Sequence, residues 1–496
     1  MLLAGRPTIY EINTAVWLEQ LGHGVPLRLD EVPGEAWDEI ASLPVDAVWL
    51  MGVWQRSPAG LQIALSNPEI TRANGAALPD VQPNDVIGSP YCVRAYEVDP
   101  RFGGDDALAA ARAALAQRRL GLILDYVPNH VAPDHPWTVA HPDYFVAGDE
   151  SDLAAHPDAF VRAGAAILAN GRDPYFAPWP DVVQLNAFSA ALRDAVAATL
   201  TAIGDRCDGV RCDMAMLMAN DVFARTWGER VGPAPEDDYW PSVIARVRER
   251  HPSQLFMAEV YWDMEWELQQ QGFDLCYDKR LYDRLRAGEP AQVRGHLRAE
   301  RSYQERLLRF IENHDEPRAA ATFPGASART AAVAMSTLQG ARLYYDGQLT
   351  GRHVHVPVFL ARAPEETDDE ELHDFYRRLL RAVAESELHD AEWTLCDCTG
   401  WPDNESAEQL AAWSWSTPRA RQLVVVNLAP APAQARVRLP WEDLAAREWS
   451  LQDRLSGAEF QRAGDELAAT GLYVALDGWG THMLSFAARA ASHDAG

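Results

Sequence analysis

The feature that most limits how this chain can fold is a run of short apolar segments separated by longer helix-like stretches. In order the segments are TIYEIN from Thr8, VDAVWLM from Val45, GLILDYV from Gly121 and DGVRCDM from Asp208. They continue with LFMAEVY from Leu255, FDLCYD from Phe273, RFIENHD from Arg309 and ARLYYDG from Ala341. Short continuous apolar runs read as buried strands, and DDALAAARAALAQRRL, AFSAALRDAVAATLTAIG and ARTAAVAMSTL between them carry helical spacing. Strands that alternate with helices pair in parallel, and eight is the number that closes a (β/α)8 barrel, the TIM-barrel architecture. An open doubly wound sheet would want a Gly-rich phosphate turn after the first strand, and none follows TIYEIN.

Two segments depart from this rhythm. Between the third strand and the helix after residue 186 the chain is rich in Pro, Asp, His and aromatics, as in APDHPW and DPYFAPWPD. An irregular insertion of that length is usually functional, as a lid or small subdomain on the active face. Beyond DDEELHDFYRRLLRAVAESE the pattern turns to QLVVVNL, ARVRLP, GLYVALDG and HMLSF, short strands of a β-sandwich. The expected organisation is a barrel over residues 1–130 and 186–390, an inserted domain over 131–185 and a C-terminal antiparallel β-sandwich over 391–496.

Composition narrows the partners. The 72 acidic residues against 44 basic ones give a net charge of -28, which repels phosphate backbones and anionic lipid, so neither nucleic acid nor membrane is expected as a partner. Lys279 is the single lysine, so no lysine cluster can hold phosphate. The six cysteines form no CxxC pair, and a chain of 496 residues needs no stapling. The start lacks a secretory pattern and no stretch reaches the roughly 18 apolar residues of a membrane span, so a cytoplasmic location is expected.

Barrel enzymes gather their chemistry where the strands end. The third strand ends on Asp125, Asn129 and His130, the fourth on Arg211 and Asp213, the fifth on Glu259, and the seventh on Asn313, His314 and Asp315. Side chains alternate along a strand, so Arg211 and Asp213 share a face while Val210 and Cys212 take the other. The apolar pair suits packing against helices, which turns the charged pair to the barrel axis, where a guanidinium favours an ionised carboxylate. A lone charged residue at a strand end is more often an ion-pair partner or a helix cap. Three acids converging on one mouth repel one another and can hold one proton near neutrality, as retaining glycoside hydrolysis requires.

At these residues the chain resembles glycoside hydrolase family 13, the α-amylase family. The likeness rests on LDYVPNH, GVRCDM, FMAEVYW and FIENHDEPR in the family's order, supported by GSPYCVRAYEVDPRFG, VQLN and YYDGQLTGR. It implies Asp213 as nucleophile, Glu259 as proton donor and Asp315 as the carboxylate that holds the distorted sugar. It further implies that Arg211 orients Asp213, that His130 and His314 bind the scissile ring, and that Tyr91 stacks on it. Trp262 is a candidate sugar platform, and Asp125 and Asn313 are structural residues near the site. Asn129 matches a calcium ligand of many members; the chemistry itself needs no cofactor, so calcium is a candidate only.

The implied reaction is retaining hydrolysis of α-glucosidic bonds in maltooligosaccharides or related α-glucans. A glucanotransferase or trehalose synthase on the same scaffold shares its first half and remains open, as does a non-catalytic sugar-binding barrel. Many amylases carry Lys-His after the nucleophile; here Met216 and Leu217 stand there, which counts against long-chain starch.

Overall fold

A computed structural model of the chain describes residues 5–386 and 391–489. The barrel strands fall on seven of the eight candidates, and the remaining one lies just ahead of RFIENHD, sharing Arg309 alone with it. The eight are β1 (Thr8–Asn13), β2 (Ala47–Met51), β3 (Gly121–Tyr126), β4 (Gly209–Cys212), β5 (Leu255–Ala258), β6 (Leu275–Tyr277), β7 (Leu307–Arg309) and β8 (Ala341–Tyr345). Each pairs with its sequence neighbours and β1 meets β8, which closes the barrel. Every residue of these strands is buried, because helices cover the outer face and side chains fill the axis. The helices show the matching stripe: Ala190–Gly204 is capped by Ser189 and buries Leu192, Val196, Leu200 and Ile203.

Parallel register decides which side chains meet. Arg211 on β4 lies opposite Asp125 on β3 and Met257 on β5, and Cys212 lies opposite Tyr126 and Ala258. The ladder runs on past the strands, with Asp213 N–H donating to Tyr126 O at 2.9 Å and Glu259 N–H to Cys212 O at 3.0 Å. Asp213 and Glu259 therefore leave the barrel at one level. β7 ends at Arg309, short of the apolar run, so Asn313, His314 and Asp315 stand on the loop that follows it.

The insertion is more regular than its composition suggests. Its antiparallel sheet runs His130–Val131, Trp179–Gln184, Ala166–Gly171, Ala147–Gly148, with Phe160–Ala163 paired to Ala166–Gly171. Gly164 turns that hairpin at a φ of 61°, which glycine adopts without strain. The pairing of Gln184 with His130 ties the sheet to the end of β3.

The chain forms two compact units. One runs to Tyr277 and includes His314–Glu316 and Val354–Glu365; the other holds Asp278–Asn313, Pro317–His353 and Glu366 onward. The second carries a six-stranded antiparallel sheet and a three-stranded one, whose facing side chains Leu410, Ala412, Leu423, Val425, Ala435 and Leu451 form a core. The other face of the larger sheet is covered too. Trp413 and Trp415 both donate their indole N–H to Thr337 O, at 3.1 and 2.7 Å, at the end of helix Ala326–Thr337.

Candidate active site

All the candidate site residues except Asn313 lie in the first unit. At their centre is the wholly buried guanidinium of Arg211. Its Nη1 donates to Asp213 Oδ1 at 2.8 Å and its Nη2 to Glu259 Oε2 at 2.6 Å, so one planar fork holds both acids. Asp125 Oδ1 lies 3.6 Å from Nη1, and the Tyr277 hydroxyl accepts from Nε at 3.3 Å. The ring of Tyr91 lies 5.1 Å from the guanidinium carbon. Asp125 itself accepts from the Gly52 N–H at 2.9 Å.

Burial pushes the Asp213 carboxyl well above its ordinary range; Arg211 opposes this, and Glu259, Asp315 and Asp125 add to it. The expectation that Arg211 keeps Asp213 ionised thus meets a stronger opposing force, because a dry site crowded with carboxylates disfavours another negative charge. Burial likewise raises Asp125 against the pull of Arg211.

Asp315 stands at the mouth, its side chain 42% exposed, while His314 beside it is wholly covered. His314 Nε2 reaches Asp315 Oδ2 at 3.1 Å and the Tyr91 hydroxyl at 2.6 Å, and Nδ1 meets Glu11 of β1. Burial alone would lower the imidazole; Asp315 and Glu11 outweigh it and hold His314 protonated. In turn His314 brings Asp315 down to about 2 against the effect of burial. His314 therefore meets the cleft through Asp315 and Tyr91, and His355 Nε2 is 2.8 Å from its carbonyl oxygen.

His130 is buried against Trp179, and its pKa falls to about 4 through burial, so the ring is neutral at physiological pH. Gly171 allows this packing: a Cβ there would lie 3.2 Å from His130 Cβ and 2.8 Å from Val182 Cγ2. Asn129 lies deeper. Gln184 Nε2 is 2.8 Å from Asn129 Oδ1, 2.9 Å from Asn129 O and 3.0 Å from Leu185 O, while the Arg172 N–H donates to Gln184 Oε1. That network fixes which way the amide faces. Calcium would need these oxygens for itself, at about 2.3–2.6 Å with several more. No cluster of three acidic, His or Cys side chains suited to a metal occurs among the described residues. The residues around Asn129 do not fit the cation, and no step below uses one.

Trp262 packs edge-on against Tyr175 of the insertion at 4.9 Å between ring centroids. Tyr175 and its neighbour Phe176 are exposed. Trp262 and Asp263 have φ of 62° and 67°, and Met264 N–H closes back to Tyr261 O at 3.3 Å, the pattern of a type I′ turn. Asn313 is buried beside His314 in sequence, and Met216 and Leu217 are buried too. Contacts that sequence reasoning missed are Glu11, Tyr261, Tyr277, Gln184 and His355. Glu11 left one signal, as the one charge inside a wholly buried strand.

No family model matches the chain. It is 24% identical over 335 residues to α-amylase MalA of Haloarcula japonica, covering 65% of this chain and 42% of that protein. It is 30% identical over 202 residues to α-1,4-glucan:maltose-1-phosphate maltosyltransferase of Burkholderia pseudomallei, covering 39% of this chain and 15% of that protein. The chain thus spans less than half the length of either relative. Its fold superposes on the maltogenic α-amylase AmyB of Thermotoga neapolitana with a TM-score of 0.68 at 18% identity, over 97% of this chain and 98% of that one. The chain thus has the barrel fold of solved α-amylases and is similar in sequence to members of the α-amylase family, glycoside hydrolase family 13.

Proposed function

We propose that the chain is a retaining α-glycoside hydrolase acting on α-glucosidic bonds of maltooligosaccharides or related α-glucans. The observation that carries this is the Arg211 fork, which holds Asp213 and Glu259 on neighbouring nitrogens. Such closeness favours the about 5–5.5 Å separation of retaining enzymes over the about 6.5–9.5 Å gap that inverting enzymes need for water.

Asp213 Oδ1 is taken by Arg211, which leaves Oδ2 to attack the anomeric carbon. Glu259 protonates the departing oxygen, and a β-glucosyl ester forms on Asp213. Water, deprotonated by Glu259, then releases the sugar. The cycle itself requires an ionised nucleophile beside a protonated acid. Asp315, anionic and open to the mouth, is placed to hold sugar hydroxyls as positive charge develops on the ring. His130, neutral, can donate or accept at the same ring. No step requires a metal.

The six cysteines are all free, in keeping with a reducing, cytoplasmic setting. No helix among the described residues is long and apolar enough to cross a membrane. A transferase reading has one observation in its favour, the maltosyltransferase relative, since transfer differs only in which hydroxyl attacks the ester.

The test is Asp213→Asn assayed on 4-nitrophenyl α-maltoside. Turnover is expected to fall by about three orders of magnitude or more with the fold intact. Activity within about tenfold of the parent would remove Asp213 from the mechanism. Incubation with maltotriose separates the two readings, because disproportionation into longer and shorter chains identifies transfer.

A further inference from the structure

The Glu259 carboxyl is bound unevenly. Oε2 accepts from Arg211 Nη2 at 2.6 Å and from the Met214 N–H at 2.7 Å. A carboxyl oxygen offers two lone pairs. Both on Oε2 are used, so that oxygen can neither carry the catalytic proton nor meet a substrate. Met214 takes a left-handed φ of 41° at this point, where it aims its N–H at Oε2. Oε1 accepts one hydrogen bond, from the Tyr261 hydroxyl at 2.7 Å. Tyr261 opens the type I′ turn, whose two left-handed positions are held by Trp262 and Asp263 rather than by the Asn-Gly such turns prefer. Strained backbone of this kind persists where its surroundings hold it, most often at functional sites.

From this geometry we infer that Tyr261 is a positioning residue for the proton: its hydroxyl commits Glu259 to deliver from Oε1 and steadies the carboxylate left behind. The inference rests on the reading of Glu259 as proton donor. In glycosylation the proton on Oε1 passes to the glycosidic oxygen. The bond from that oxygen to the anomeric carbon breaks with its electron pair on the oxygen, and Asp213 Oδ2 closes the new bond to carbon. Glu259 becomes an anion at that moment, and the hydrogen bond from Tyr261 becomes charge-assisted. In the second half a water proton returns to Oε1 as its oxygen attacks carbon and the ester bond breaks back onto Asp213.

Tyr261 keeps its own proton throughout, because burial, together with Glu259 and Asp315, pushes the phenol well above its ordinary range. The other charged and titratable groups facing Glu259 are Arg211 and Asp213 of the β4 end and Tyr277 of β6. Tyr261 bonds to the oxygen that must carry the proton.

The experiment is the pH profile of kcat/KM for Tyr261→Phe on maltotriose and on 4-nitrophenyl α-maltoside, whose leaving group needs little protonation. Loss of a donor to the ionised form should move the alkaline limb on maltotriose up by about one pH unit. The plateau on maltotriose should fall about tenfold and that on the nitrophenyl substrate less than about twofold. An unmoved limb, or equal loss on both substrates, overturns the inference. If the Phe variant does not fold, 3-fluorotyrosine at position 261, a stronger donor of nearly the same shape, should move the limb down, and an unmoved limb again overturns it. Glu259→Gln is the control: selective loss on maltotriose upholds the proton donor, so an unmoved Tyr261 limb then sinks the inference alone. Equal loss there sinks the donor reading and the inference together.

Discussion

His130 and His135 are buried imidazoles whose pKa values fall from 6.5 to about 4 through burial. In the unfolded chain both take up protons near 6.5, whereas the folded protein resists until about pH 4. Their contribution to stability is therefore complete above 6.5 and is lost as pH falls toward 4, by roughly 3 kcal/mol each at most. Urea midpoints measured from pH 7 to pH 4.5 should fall steadily, and His135→Gln, outside the Arg211 cluster, should flatten the curve. A midpoint unchanged over that range would mean that neither ring is held neutral. At this scale the sequence was legible where a motif named the residue, as with Asp213, Glu259 and Arg211, but not where a contact crosses strands. Nothing in TIYEIN says that Glu11 meets a histidine 303 positions on, because only closure of the barrel brings β1 beside the loop after β7.

Among the elements, one side chain of the insertion reinforces the strand pairing that attaches it. Gln184 joins the strand Trp179–Gln184 to the segment after β3 through both oxygens of Asn129, and its amide also reaches Leu185 O. Gln184→Ala would strand buried acceptors and should cost about 2–3 kcal/mol. A chelator should leave the parent's unfolding midpoint unchanged, since an amide satisfies those oxygens. A midpoint lowered by chelation and restored by calcium would show a cation there instead. The barrel strands could be read because burial on both faces makes each a continuous apolar run. The strands of the insertion could not, since Phe160–Ala163 and Ala166–Gly171 are short and rich in Ala and Gly, and pairing rather than composition makes them strands. Four strands of the sandwich were also legible; Leu410–Ser416 was not, because its two buried faces hide the alternation in LAAWSWS.

For the molecule as a whole, a charge of -28 stores self-repulsion that salt should relieve. Raising ionic strength from about 0.01 to 0.15 M shortens the screening length from about 30 to 8 Å. The Tm should rise by about a degree or two; a fall would mean that surface ion pairs outweigh the net charge. A different whole-molecule consequence comes from Thr337, whose carbonyl receives two indoles from the sandwich. That helix sits between β7 and β8 in the chain, so its last turn is finished by residues some eighty positions downstream. Anyone excising the barrel for transplantation would leave a bare carbonyl and an uncovered apolar helix, and would have to redesign that seam before the smaller protein stayed in solution.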